Sequence, residues 1–153
     1  MSEKIYCLLL PFLLLLVSCN NTACYDKTKV TVNCGLYSQE TNKLVSVAKV
    51  TVKGIGSDSI IYNNISLNEF SLELNPNTNE TKFVVMVTAE SVYYLDTLTF
   101  IHTNRPWFQS MECGCMTFST LDTCLTTGRI FKSVEITEHE VTNLAIEHVK
   151  LKI

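Results

Sequence analysis

Val30-Thr31-Val32-Asn33-Cys34-Gly35-Leu36 alternates apolar and small or polar residues, the period of two that marks a half-buried β-strand. Working outward, the same signature keeps returning between turn signals. Ser38 to Lys43 reads as a turn, Leu44 to Val52 as a strand, Gly54 to Asp58 as a loop, and Ile60 to Tyr62 as a strand. Phe70, Leu72 and Leu74 alternate with Ser71 and Glu73, and Asn75-Pro76-Asn77-Thr78-Asn79 is dense in turn formers. Phe83 to Val87 is apolar throughout, which predicts a strand covered on both sides. Leu98–His102, Gly114–Thr120, Ile130–Ile136 and Ala145–Ile153 complete the series, and Val149, Leu151 and Ile153 share one face of the last strand. About nine short strands with no amphipathic helix predict an all-β, two-sheet sandwich of immunoglobulin-like or transthyretin-like topology.

The N-terminus has a different character. Lys4 precedes an apolar run from Ile5 to Val17, too short for a comfortable membrane span and right for a secretory signal. The run ends in Leu16-Val17-Ser18-Cys19, which resembles the bacterial lipobox, so that Cys19 is expected to take a diacylglycerol and become the mature N-terminus. Residues 1–18 are then the signal peptide, 19–27 a polar tether, and 28–153 the sandwich. Three acyl chains at roughly 0.8 kcal/mol per buried methylene make such an anchor permanent in practice.

Cleavage would leave 135 residues (153 − 18), enough for one domain with its own core and too few for two. The net charge of −3 provides no electrostatic footprint for nucleic acid and no polybasic membrane patch.

Seven cysteines sort by compartment. Cys7 leaves with the signal and Cys19 carries lipid. Cys24, Cys34, Cys113, Cys115 and Cys124 remain, and in an oxidising space five thiols make two disulfides with one left over. The sequence does not fix the pairing. Cys113-Gly114-Cys115 lacks the helix start that a redox pair uses to lower a thiol pKa, so structural cross-links are expected there.

Enzyme motifs fail when tested. His139-Glu140-Val141-Thr142-Asn143 lacks the second histidine of a zinc protease and falls where a turn meets a strand. Gly54-Ile55-Gly56 has no third glycine and no following helix. Asn75, Asn77 and Asn79 copy the spacing of a calcium loop without its carboxylates. No carboxylate pair and no nucleophile elbow stand out. The expectation is a protein with no catalytic residues, no metal and no cofactor.

The block Ile101-His102-Thr103-Asn104-Arg105-Pro106-Trp107-Phe108-Gln109-Ser110-Met111-Glu112-Cys113-Gly114 resembles a segment of small cell-envelope lipoproteins of the phylum Bacteroidota. So do Gly56-Ser57-Asp58-Ser59-Ile60, Leu72-Glu73-Leu74-Asn75-Pro76 and the closing strand. The resemblance implies a β-sandwich lipoprotein of unassigned function, with Cys24 and Cys113 as the family disulfide. Cys34, Cys115 and Cys124 depart from that pattern, leaving room for a Cys115–Cys124 bridge across a hairpin and for Cys34 as a buried thiol. Asn20-Asn21-Thr22-Ala23 lacks the acidic run of surface-displayed relatives, which by the same resemblance implies a protein on the outer membrane facing the periplasm. Asp58-Ser59-Ile60 and Asp96-Thr97-Leu98 match that group's O-glycosylation tripeptide, making Ser59 and Thr97 candidate acceptors.

Two functions are expected to compete. The first is a non-enzymatic module that supports or binds an envelope protein through a sheet face, an edge or a loop. The second is glycan binding on Tyr93, Tyr94, Trp107 and Phe108, although Trp107 and Phe108 beside Pro106 are also expected to plug one end of the sandwich. Solvent-facing, coplanar rings would favour the sugar.

Overall fold

A computed structural model of the protein describes residues 29–153 apart from Asp58, Glu90 and Glu112. Among these residues there are ten strands and no helix. They are β1 (Val32–Tyr37), β2 (Val47–Gly54), β3 (Ile60–Leu67), β4 (Glu69–Leu72), β5 (Glu80–Ala89), β6 (Val92–Ser110), β7 (Gly114–Thr126), β8 (Ser133–Ile136), β9 (Glu140–Val141) and β10 (Val149–Lys152).

Two sheets form the sandwich. One runs β4-β1-β10-β8 and the other β3-β2-β5-β6-β7-β9. The alternation that begins at Val30 fixes the register of the smaller sheet. Val32, Cys34 and Leu36 are buried, Cys34 faces Phe70 of β4 across an antiparallel ladder, and Cys34 lies beside Val149 in a parallel pairing with the last strand. Joining the first and last strands this way closes the chain on itself, with Cys34 and Val149 115 positions apart (149 − 34). From the larger sheet, Val50, Val52, Phe83, Val85, Leu98, Phe100 and Leu121 fill the space between the layers, and Phe131 enters from the β7–β8 loop. Phe83 and Phe100 meet edge to face at 5.9 Å.

Strand lengths differ most from expectation on either side of Pro106. Instead of two short strands, β6 has 19 residues and β7 has 13. The β5 partner ends opposite Ile101, so beyond that point only β7 pairs with β6. An edge of this kind tolerates a proline, whose missing N–H can face away from β7. Phe83–Val87 is also corrected. Phe83 and Val85 are buried while Val84 and Met86 are half-buried, so β5 is a central strand with one face in the core and one toward solvent.

Candidate functional site

β6 carries the site, because it is long enough to leave the core at both ends. In its middle Asp96, Leu98, Phe100 and His102 point inward and are fully buried. At its start the alternation stops: Val92, Tyr93, Tyr94 and Leu95 are all exposed, so both faces of the strand are bare there. β5 pairs this stretch on one side, from Met86↔Leu95 to Ala89↔Val92. On the other side β7 ends at Thr126, opposite Leu98, and no described strand continues its ladder. Val92–Leu95 is therefore an open, apolar β-edge, turned back from β5 at Ser91, whose φ of 66° gives the tight reversal.

At the far end the β6–β7 hairpin turns between Ser110 and Gly114, with Gly114 at φ 73°. Trp107 is 46% exposed, Phe108 57% and Met111 91%. The Trp107 ring stacks on Phe118 at 5.4 Å, and the Arg105 guanidinium lies over both rings, 5.8 Å from Trp107 and 5.5 Å from Phe118. Arg105 is held in turn by Glu140 at 2.9 Å, and Glu140 accepts from Thr120 Oγ1 at 2.7 Å. The Thr120 hydrogen bond and then Arg105 keep the Glu140 carboxyl below its ordinary pKa. The hairpin is thus braced on one face and left apolar at its tip.

The chain enters the sandwich at this same end. Lys29 and Val30 share a cleft of about 390 Å³ with Glu73, Leu74, Met116 and Thr117, and Lys29 pairs with Glu73 at 3.5 Å. The start of the domain and the root of the hairpin tip are neighbours.

The expected aromatic platform is not assembled. Tyr93 and Tyr94 are consecutive in a strand and so project from opposite faces, as do Trp107 and Phe108. Thirteen residues of strand separate Tyr94 from Trp107 (107 − 94), roughly 40 Å at about 3.3 Å each. Nor do Trp107 and Phe108 plug the sandwich, since the hairpin carries both beyond the core into solvent.

Asp96 and His102 are buried polar residues whose structural roles the sequence did not announce. Asp96 takes hydrogen bonds from the backbone N–H of Thr97, Thr127, Ile130 and Phe131 and from the hydroxyls of Thr126 and Thr127. Burial alone would raise its pKa, but the bonds from Thr127, Phe131, Ile130 and Thr126 outweigh this and hold it at about 2. The signal was present in the sequence: Asp96 is in phase with Leu98 and Phe100. Its engagement also bears on Thr97, which lies in a central strand behind a buried Asp96 and beside a buried Leu98. Ser59 is exposed in the β2–β3 loop, and Asp58 lies outside the described residues.

His102 links Thr81 Oγ1 to Asn104 Oδ1, each at 2.9 Å. The Asn104 amide donates to the carbonyls of Asn75 and Thr78, so its Oδ1 must accept and His102 Nδ1 must donate. Asn75 to Asn79, the calcium-like spacing, is thereby a turn pinned by side chains. His148 accepts from the Asn33 N–H at 3.1 Å through Nδ1, and burial lowers the pKa of both rings. A second cleft, of about 400 Å³, opens over β1 between Asn33, Tyr62, Glu69, Ser71 and Glu147. Its polar groups largely bond one another: Ser71 Oγ to Asn33 at 2.8 Å, and Tyr37 to Glu147 at 2.9 Å. His139 reaches the Leu121 carbonyl, while neighbouring Glu140 serves Arg105, so the fragment splits in two directions. Among the described residues no group of three His, Cys, Asp or Glu could hold a metal.

The cysteines divide clearly. Cys34 is a buried free thiol, and Cys115 and Cys124 are also free. A Cys115–Cys124 bridge is overturned, because both lie on β7, opposite Phe108 and Phe100, nine residues of extended strand apart (124 − 115). A disulfide needs its Cα atoms within about 7 Å. Cys113 is disulfide-bonded. Cys19 and Cys24 lie outside the described residues.

A family model described as a family of unknown function, DUF6452, matches residues 49–153, which is 105 of 153 residues (153 − 49 + 1). No curated protein and no solved structure is significantly similar to the chain.

Proposed function

The chain belongs to this family of unknown function, and we propose that it is a non-enzymatic, lipid-anchored envelope module that presents the Val92–Leu95 edge to a partner protein. The observation that carries the reading is that edge itself. Four consecutive apolar residues are exposed, on a stretch of β6 paired along one side only. An extended segment of a partner can complete such a ladder, with backbone hydrogen bonds giving affinity and Tyr93 and Tyr94 gripping from the two faces.

The anchor comes from the sequence. Lys4, the apolar run and Leu-Val-Ser-Cys19 support a lipidated N-terminus, and the resemblance to Bacteroidota envelope lipoproteins, with no acidic run in Asn20-Asn21-Thr22-Ala23, supports a place on the outer membrane facing the periplasm. Cys24 is the proposed partner of Cys113, and it ties the tether to the hairpin. A non-enzymatic role is supported by the polar clusters, whose acids and imidazoles are largely committed to structural hydrogen bonds.

The test is a photo-crosslinking amino acid placed in intact cells at Tyr93, and as a control at Thr123. A discrete protein adduct at Tyr93 alone, lost when Leu95→Pro blocks the edge, is expected. A polysaccharide adduct would favour glycan binding instead, and equal adducts at both positions would show that the edge is not the docking surface.

A further inference from the structure

The hairpin tip at the opposite end of β6 needs its own occupant. Trp107, Phe108 and Met111 form an apolar tip beyond the core, on a hairpin that is braced at its root. A monomer does not need a stacked, arginine-clamped tryptophan with nearly half its surface in water.

We propose that this tip rests in the interfacial layer of the bilayer that holds the N-terminal lipid, so that the domain stands on the membrane at two points. The inference rests on the lipid-anchor reading of Cys19, and three observations support it. Lys29 and Val30, where the chain enters the fold, share a cleft with Met116 and Thr117 at the root of the hairpin. Ten residues separate Cys19 from Lys29 (29 − 19), so the entry point lies within about 35 Å of the lipid. The exposed side chains are of the kind that interfaces select: a tryptophan with a polar N–H, a phenylalanine and a flexible methionine.

Charge sets the depth. Between Trp107 and Gly114 the sequence has one charged side chain, Glu112. A single acid is compatible with the headgroup layer and incompatible with the hydrocarbon centre. The rings therefore sit at the headgroup–acyl boundary, at the depth interfacial segments reach. Standing on lipid and tip together orients β6 away from the surface and carries Val92–Leu95 to the far end.

Trp107 is the single tryptophan of the chain, so its fluorescence reports this contact alone. The full lipidated protein, purified from membranes, is reconstituted into phosphatidylethanolamine–phosphatidylglycerol vesicles doped with bromine-labelled lipids. Expected are co-flotation with the vesicles, blue-shifted emission, and stronger quenching by bromines near the headgroup than by bromines at the bilayer centre. Met111→Asp should weaken the quenching while the protein still floats. Co-flotation with Trp107 quenched by aqueous iodide and untouched by bromolipid would overturn the proposal and leave the anchor standing. Shielding of Trp107 by a second copy of the chain, seen as a blue shift that grows with protein density and is untouched by bromolipid, would overturn it in the same way. Failure to float would overturn both.

Discussion

The carboxylate of Asp96 accepts a 2.9 Å hydrogen bond from the backbone N–H of Phe131, 35 residues on (131 − 96). Phe131 is a fully buried ring, and the bond draws the β7–β8 loop over the core beside the point where β7 ends. The lock that shapes the open edge is therefore one residue away from it, at the first inward position after Leu95.

Asp96→Asn keeps the shape but turns an amide N–H₂ toward a ring of donors. It should destabilise the fold by about 3 kcal/mol, as breaking a buried charged acceptor does, read as a lower urea midpoint at unchanged slope. The acid limb follows by linkage. With the folded pKa held at about 2, below its unfolded value, Asp96 stabilises the protein above about pH 4 and loses that contribution as pH falls toward 2. Wild type should lose on the order of 2 kcal/mol across that window through this residue, and Asp96→Asn should not. Equal acid curves for the two proteins would remove Asp96 from that role.

The buried histidines act earlier in a titration. Burial lowers the pKa of His102 and of His148 below the unfolded value. Their neutral forms are favoured by folding, so stability is full above about pH 6.5 and declines as pH falls through the folded pKa values. Urea midpoints should drop between about pH 7.5 and pH 5. A midpoint that stays flat or rises would mean that the rings are charged in the native state.

Gly35 shows how closely β1 and its neighbours approach. A Cβ there would meet the Glu147 carboxylate and come within 2.7 Å of the Tyr37 ring. Lys150, beside Gly35 in the ladder, lies 5.4 Å over that same ring. Gly35→Ala should cost about 1–3 kcal/mol by overpacking. In combination with Glu147→Ala the loss should be smaller than the sum, since the flexible partner of the clash is gone. Strict additivity would place the strain elsewhere.

The thiols give a chemical map. Under non-reducing native conditions Cys115, which is exposed, should alkylate fast. Cys34 and Cys124 should react only after unfolding, because burial pushes the Cys124 thiol up to about 12 and Cys34 well above its usual range. Peptide mapping should join Cys24 to Cys113, closing an 89-residue loop (113 − 24) that stabilises the fold by roughly 4–5 kcal/mol through loop-closure entropy. Alkylation of native Cys113 would contradict the link.

The sandwich was legible because its core strands are half-buried, and half-burial writes alternation into sequence. Val32, Cys34 and Leu36 read correctly for that reason, and so did Phe70 with Leu72 and Val149 with Leu151. Where β6 leaves the core nothing enforces the pattern, so the sequence marks a strand only over Leu98–His102, although Val92–Leu95 and Arg105–Phe108 belong to it as well. Pro106 lies in that outer part of the strand, where β6 pairs with β7 alone. Cys115 and Cys124 misled through proximity in sequence, which in an extended strand is distance in space. Asp96 could have been found as an acid in phase with Leu98 and Phe100.

The hairpin tip of β6 takes its proposed role from the lipid on Cys19, and the anchored reading of the whole domain depends on the same lipid. Intact mass and N-terminal peptide analysis of the protein extracted from its native membranes tests this most directly. Loss of residues 1–18, with a diacylglyceryl thioether and an amide-linked acyl chain on Cys19, is the predicted result. A chain that keeps Met1, or begins at an unmodified Cys19, would contradict it.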